Sequence, residues 1–183
     1  MIYTTSELIQ LLGNFSKISV AINKGKYHKV SHGLYSDESP YLSELESLFA
    51  RYPNAILTLE SAFDYYGMSD YIPDEYVVAT AQNAHKIRTK KVKQIFVSND
   101  LLNIGKTTIK TEYGIINIYD KERMLIELFR LKSKLSYDYY KEVVNSYRTL
   151  FKKGELDMYK VLKYCQSFSR KDSLLKNIQE IIA

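Results

Sequence analysis

The sequence predicts an α+β protein in two parts, and three observations carry that reading. Before residue 40, two short amphipathic segments, each closed by a glycine, lead into a tyrosine-containing stretch with a turn glycine. Between residues 56 and 119, β-branched and apolar runs separated by turn residues have the pattern of strands. From Asp120 onward the apolar residues recur at helical spacing. Domains of 1–39 and 40–183 follow. The second comprises a connecting helix, a short, mainly antiparallel sheet to about residue 119, and a C-terminal helical bundle over 120–182.

Thr4-Thr5-Ser6-Glu7 has the spacing of a capping box, with Thr4 as N-cap and Glu7 reaching back. The helix it opens carries Leu8, Leu11 and Leu12 on one face and closes at Gly13. A second helix begins after Asn14 or Ser16, buries Ile18, Ala21 and Ile22, and stops at Gly25. Its outward residues are Lys17, Ser19, Val20, Asn23 and Lys24. Tyr27, Val30, Leu34 and Tyr35 then anchor a hairpin whose turn uses Gly33, leaving Lys26, His28, Lys29, Ser31 and His32 exposed. Two short helices followed by a hairpin make a winged helix-turn-helix domain.

The larger domain starts with a helix from Pro40 to Arg51, apolar at Leu42, Leu45, Leu48 and Phe49. A short apolar run, Ile56–Leu59, precedes a helical turn at Ser61-Ala62-Phe63, where Ser61 is read as a cap and Gly67 as the stop. Pro73 interrupts the chain ahead of the strand Tyr76–Thr80. Ile87, Val92, Ile95, Phe96 and Val97 alternate with cations as a half-buried strand region would. Lys106–Thr111 and Ile115–Tyr119 form a hairpin through Glu112-Tyr113-Gly114. Four helices complete the chain. The first starts at Asp120 and buries Met124, Leu125, Leu128, Phe129 and Leu131. The second is capped by Ser136 and ends at Lys153-Gly154, with Tyr140, Val143, Val144, Tyr147 and Leu150 inward. The third carries Leu156, Tyr159, Val161, Leu162, Cys165 and Phe168, and the fourth Leu174, Leu175, Ile178, Ile181 and Ile182.

Hydrophobic residues make up 45% of the 183, enough to bury a sizeable core, and no apolar run reaches the length of a membrane span. A lone cysteine, Cys165, forms no internal disulfide and suits a cytoplasmic setting. The net charge of +5 is unevenly spread. Residues 1–35 carry Lys17, Lys24, Lys26 and Lys29 against Glu7 alone. Residues 36–81 carry nine acids against Arg51, and residues 82–110 then bring Lys86, Arg88, Lys90, Lys91, Lys93, Lys106 and Lys110 against Asp100. Two basic blocks flank an acidic one, an arrangement that suits a polyanion; a solvated charged surface is the plainer alternative.

Enzymatic signatures are missing from the sequence. It contains no Walker loop, dinucleotide-binding glycine turn, GxSxG elbow or Cys/His zinc cluster, so no catalytic residue, cofactor or metal is expected. His28 and His32 are four apart, but that spacing converges on one ligand only within a helix, and here both fall in the hairpin. Cys165 sits on an apolar helix face and is read as a buried thiol. Most of the 17 tyrosines occupy periodic apolar positions, and Tyr35 is retained as a phosphate contact.

The basic helix-turn-helix segment, followed by the stretch Tyr52–Thr80 and a helix after the sheet at Asp120-Lys121-Glu122-Arg123, resembles AbiEi, the antitoxin of AbiE-type bacterial toxin–antitoxin systems. The family places a helix ahead of the segment matching Thr4-Thr5-Ser6-Glu7, where this sequence has only Met1, Ile2 and Tyr3. The resemblance implies an autorepressor that binds inverted repeats in its own promoter and counteracts a nucleotidyltransferase-like toxin, without a stable complex between the two. On this reading residues 16–24, with Lys17, Ser19, Asn23 and Lys24 as the named contacts, supply base readout, while Lys26, His28, Lys29, Ser31, His32 and Tyr35 hold the backbone. Lys86, Arg88, Lys90, Lys91 and Lys93 add secondary backbone contacts. The alternative is a protein-binding module acting by direct contact with a partner, without specific DNA binding. A third possibility, an enzyme reversing the toxin's modification, has no catalytic constellation behind it.

Overall fold

A computed structural model describes residues 1–38, 43–112 and 114–182. In chain order the elements are β1 (Ile2–Thr4), α1 (Thr5–Leu12), α2 (Phe15–Asn23), β2 (His28–Ser31), β3 (Leu34–Ser36), α3 (Glu44–Arg51), β4 (Ile56–Leu57), α4 (Leu59–Tyr65) and β5 (Tyr76–Ala81). There follow β6 (Val92–Val97), α5 (Asn99–Leu102), β7 (Lys106–Thr111), β8 (Gly114–Tyr119), α6 (Lys121–Arg130), a 3-10 turn (Lys132–Lys134), α7 (Tyr137–Lys152), α8 (Met158–Cys165) and α9 (Lys171–Ile182). Helices and two sheets make this an α+β fold, as predicted. One sheet has the order β1-β3-β2 and the other β6-β5-β4-β8-β7. Two compact units result: Met1–Ala55 together with Thr108–Asn117, and Ile56–Thr107 together with the chain from Ile118. Pro40, Leu42 and Tyr113, and the side chains of Ile181 and Ile182, lie outside the described residues.

In the first unit, local chemistry decides where helices begin. The Thr4 hydroxyl accepts from the Glu7 amide at 3.3 Å and the Glu7 carboxylate accepts from the Thr4 amide at 2.7 Å, the reciprocal arrangement that satisfies two orphan N–H groups. Asn14 caps α2 by accepting from the Lys17 amide at 3.0 Å. A second capping box, Ser43 with Glu46, opens α3. Leu8, Ile18, Ala21, Tyr27 and Tyr35 form the core, with Tyr3, Leu12 and Ile22 packed against it. Leu11, expected on the buried face, is 62% exposed, because Leu8 and Leu12 one turn apart already fill that face.

The five-stranded sheet is mixed, not mainly antiparallel. β5 pairs with β6 in parallel from Tyr76↔Val92 to Ala81↔Val97, and β4 pairs in parallel with β8 through Leu57↔Ile118, while β4 and β5 are antiparallel. Consecutive strands that run in parallel require the chain to travel back along the sheet, which a helix usually does. Here residues 82–91 return without one. A six-residue strand is roughly 20 Å long and ten residues reach roughly 33 Å when extended, so the connection fits. Gln94 pins it: its carbonyl oxygen accepts from the Ile87 amide at 2.8 Å, and its amide nitrogen donates to His85 O at 3.1 Å and to Thr80 Oγ1 at 2.7 Å. Ile87 is buried in this return segment instead of in a strand. Ser61 does not cap α4, whose N-cap is Thr58. It lies within the helix, accepts from the Val77 amide at 2.8 Å and donates to Glu75 O at 3.3 Å, fixing the start of β5.

Among the helices after the sheet, Ser136 caps α7 as expected, and Asp120, expected as the start of its helix, is the N-cap of α6. Tyr159 and Leu162, expected inward on α8, are 78% and 46% exposed. The largest fully buried side chain among the described residues is Arg123. Its Nε donates to Glu127 Oε1 at 2.8 Å, and its Nη1 donates to Leu101 O at 2.9 Å and Ile104 O at 3.1 Å. The guanidinium lies over the rings of Tyr119 and Phe168 at 4.6 and 4.8 Å. Arg130 shares the Glu127 carboxylate at 2.7 Å. Arg123 Nη2 makes no hydrogen bond but lies 2.8 Å from the Glu127 carboxylate, so the buried charge is paired; an unpaired one would cost several kcal/mol.

Gly105 makes the close approach to Arg123 possible. At φ +72°, a Cβ placed on it would stand 2.3 Å from Arg123 Cβ, an atom fixed to the α6 backbone. Gly105→Ala is therefore expected to lower stability by about 3 kcal/mol, combining left-handed strain with overpacking, against about 1 kcal/mol for Gly67→Ala. The Gly67 Cβ would meet nothing within 4 Å. Urea denaturation midpoints of the two variants check the contrast.

Buried phenols make a second prediction. Burial pushes Tyr119 up to about 12, and raises Tyr66 and Tyr147 as well. Each hydroxyl donates to a backbone carbonyl: Leu102 O, Tyr119 O and Lys121 O respectively. Since the folded values exceed the ordinary value near 10, the contribution is whole below that pH and is lost as pH rises through the folded values. The denaturation midpoint should hold up to about pH 10 and fall toward pH 12, with phenolate absorbance from these residues appearing together with unfolding.

Candidate nucleic-acid interface

Helix α2 buries Ile18 and Ala21 on one side, and its other side is open. Lys17, Ser19, Val20, Asn23 and Lys24 are all exposed, and Ser16 joins them. Helical spacing puts Ser16, Ser19, Val20 and Asn23 on one solvent-facing stripe, with Lys17 and Lys24 at its edge. No acid occurs in the helix. Ser16 and Val20 lie inside the predicted readout stretch 16–24 but are not among its named contacts; their i, i+4 relation places them on the same stripe.

The hairpin that follows the helix is registered on β3. Lys29 stands opposite Tyr35 and His28 opposite Ser36, with an irregularity between Lys29 and Ser31 where an extra residue enters β2. Gly33 takes φ +75°, and its carbonyl accepts from the Thr5 amide at 3.1 Å, so the turn is tied to the first residue of α1. His28, Lys29 and His32 are exposed, as is Lys26, whose ammonium lies 5.8 Å from the Tyr27 ring centroid. Ser31 is half-buried and accepts from Arg51 Nη2 at 2.7 Å, which engages the hydroxyl from within the unit. Lys17, Lys24, Lys26 and Lys29 form no ion pair among the described residues.

Tyr35 departs from its expected role. It is 6% exposed and belongs to the core with Leu8, Ile18 and Tyr27. Its strand is the middle one of three, and its side chain falls on the face covered by the helices. The acids near the amino terminus are occupied. Glu7 serves the α1 cap, and Asp37 binds the terminal ammonium, whose hydrogen bond holds that carboxyl below the usual carboxylate range. Glu38, after β3, is exposed as well, so the acids of this segment lie at its two ends while the exposed charges of α2 and the hairpin are cationic.

In the second unit, Lys86, Arg88, Lys90 and Lys91 are exposed along the return segment 82–91. Lys93 lies on β6 and sits 3.4 Å from Glu60, so its charge is partly matched. Cys165 is buried, and burial pushes its thiol up, away from nucleophilic chemistry. A cleft of about 780 Å³ in the first unit is lined by Ile2, Phe49, Ile115, Glu7, Glu46 and Arg51 among others. Both of its carboxylates are used as caps and its arginine is tied to Ser31, so it presents no nucleophile with a base beside it. No cluster of three or more His, Cys, Asp or Glu able to hold a metal occurs among the described residues. No helix among them is long and apolar enough to cross a membrane. Comparison with known proteins gives no match, either to a family model or to a curated protein.

The placement of Tyr35 is directly testable. Tyr35→Ala should lower stability by about 3 kcal/mol through the cavity it leaves, whereas Tyr35→Phe should stay within about 0.5 kcal/mol, since the ring does the packing. Guanidinium denaturation of the two variants measures both.

Proposed function

We propose that the chain is a sequence-specific, double-stranded-DNA-binding regulator. The observation that carries this reading is the acid-free solvent face of α2, bordered by Lys17 and Lys24 and followed by a hairpin whose Lys26 and Lys29 make no ion pair among the described residues. The order β1-α1-α2-β2-β3 with a β1-β3-β2 sheet supports describing the segment as a winged helix-turn-helix. In that arrangement α2 enters the major groove, and the hairpin runs along a neighbouring phosphate backbone. Lysines neutralise phosphates and release counterions, while the short polar side chains of α2 meet base edges. Ser31 contributes less than the lysines because Arg51 already holds it. Lys86, Arg88, Lys90 and Lys91 supply a second set of backbone contacts, with Lys93 giving less because of Glu60.

The biological role we propose rests on the resemblance to AbiEi. The protein represses its own operon from inverted repeats and counteracts a nucleotidyltransferase-like toxin in the cytoplasm, with no stable complex between them. Direct capture of a partner protein without DNA is the competing reading.

A gel-shift titration over a range of salt concentrations, using duplexes from the promoter upstream of the gene, separates the two. Replacing Lys17, Lys24, Lys26 and Lys29 by Ala should weaken binding and reduce the slope of log affinity against log salt by about one for each phosphate that no longer meets a lysine. Replacing Lys86, Arg88 and Lys90 should weaken all duplexes alike and leave sequence preference unchanged. An unaltered slope in the first variant, or co-purification with a toxin in the absence of nucleic acid, would favour the protein-binding reading.

A further inference from the structure

The middle of the α2 solvent face carries neither a long cation nor a carboxylate. It consists of Ser16, Ser19, Val20 and Asn23, with Lys17 and Lys24 at its edge. The Asn23 side chain makes no hydrogen bond among the described residues, and Val20 is 51% exposed although it is apolar and β-branched. Neither side chain is needed for packing, since Ile18 and Ala21 fill the buried side and Asn14 supplies the cap. An isopropyl group held in water three residues from a carboxamide without a partner among the described residues, with lysines along one edge, matches one kind of base edge in the major groove.

Resting on the DNA-binding reading above, we infer that α2 reads A·T pairs, with the Asn23 carboxamide contacting adenine and Val20 packing on a thymine methyl group. Adenine offers an N7 acceptor beside an N6 donor, which one carboxamide matches with its own donor and acceptor. Thymine is distinguished in the same groove by its C5 methyl, and an apolar side chain that excludes water from it gains what a serine would not. Guanine is read best by Arg or Lys through O6 and N7. The centre of this face offers neither residue; Lys17 and Lys24 stand only at its edge. Val20 and Asn23 lie i, i+3 on the helix, so their contacts fall on the same or neighbouring base pairs.

The test uses the full chain and a library of duplexes with a randomised core, selected by retention and sequenced. The wild type should enrich a motif containing A·T pairs. Asn23→Ala should lose about ten-fold of its preference at one adenine position, with the preferences at positions away from that adenine retained. Replacing a single thymine of the selected duplex by uracil, which lacks only the methyl group, should weaken the wild type about four-fold and leave Val20→Ala unaffected. Both substitutions fall on the open face, and thermal melts verify that the variants fold. A motif whose preferences are the same in both variants, or whose Asn23-dependent position is G·C, overturns the inference and leaves the DNA-binding reading standing. Retention of all duplexes without enrichment overturns it and limits that reading to backbone contact. Retention of none sinks both.

Discussion

The candidate interface depends on one three-residue strand. Leu34, Tyr35 and Ser36 pair with β1 through Thr4, Tyr3 and Ile2 and, on the other side, with Ser31, Lys29 and His28. All three are buried. Because Thr4 is both the last residue of β1 and the cap of α1, the pairing sets where that helix begins relative to the hairpin. The bond from Thr5 N–H to Gly33 O closes the same loop from the turn end. Side chains within a strand alternate faces, so a one-residue slip of β3 would take Tyr35 off the face that packs on Leu8 and Ile18 and put Leu34 or Ser36 in its place. The positions of Lys26, His28 and Lys29 therefore follow from strand register as much as from their own conformations.

The second unit is organised by a different kind of constraint, a buried charge. Arg123 is surrounded by two carbonyls, one carboxylate and two aromatic rings, and it can be so enclosed only because Gly105 brings the backbone before β7 close to α6. Apolar burial supplies most of the stabilising free energy in such a core, but it does not select one arrangement over near neighbours. A guanidinium that must satisfy donors in fixed directions is more demanding, and it joins β8, α6 and the Leu101–Ile104 turn in one geometry.

Features set by a few neighbouring residues were legible in the sequence. The caps at Thr4 and Ser136 rest on side chains bonding to amides three residues on, the helix starts near Asn14 and Asp120 on the same chemistry, and the glycine stops at Gly13 and Gly154 on backbone freedom. Features set by distant partners were not. Whether β5 and β6 run in parallel depends on how residues 82–91 return, and nothing beside Gln94 in the chain indicates that its carboxamide meets the backbone at Ile87 and His85. Arg123 read as a polar residue of a helix start, since its own turn gives no sign of Tyr119, Phe168 and Leu101 around it. Tyr35 looked available because a tyrosine in a basic hairpin has the same letters whether its strand lies at an edge or between two others. At the candidate interface, the exposure of the α2 stripe was legible from helical spacing alone, and the engagement of Ser31 by Arg51 was not.

The way Gln94 holds the return segment has a thermodynamic side. Ordering a free loop upon meeting a ligand forfeits roughly 1 kcal/mol or more of conformational freedom per residue, which is subtracted from whatever the new contacts yield. Between Thr80 and Val92 much of that loss has already been met in folding, through one carboxamide with three hydrogen bonds and one buried isoleucine. A polyanion approaching Lys86 and Arg88 thus encounters a backbone that is already tethered, and only the flexible ends of those two side chains remain to be stilled.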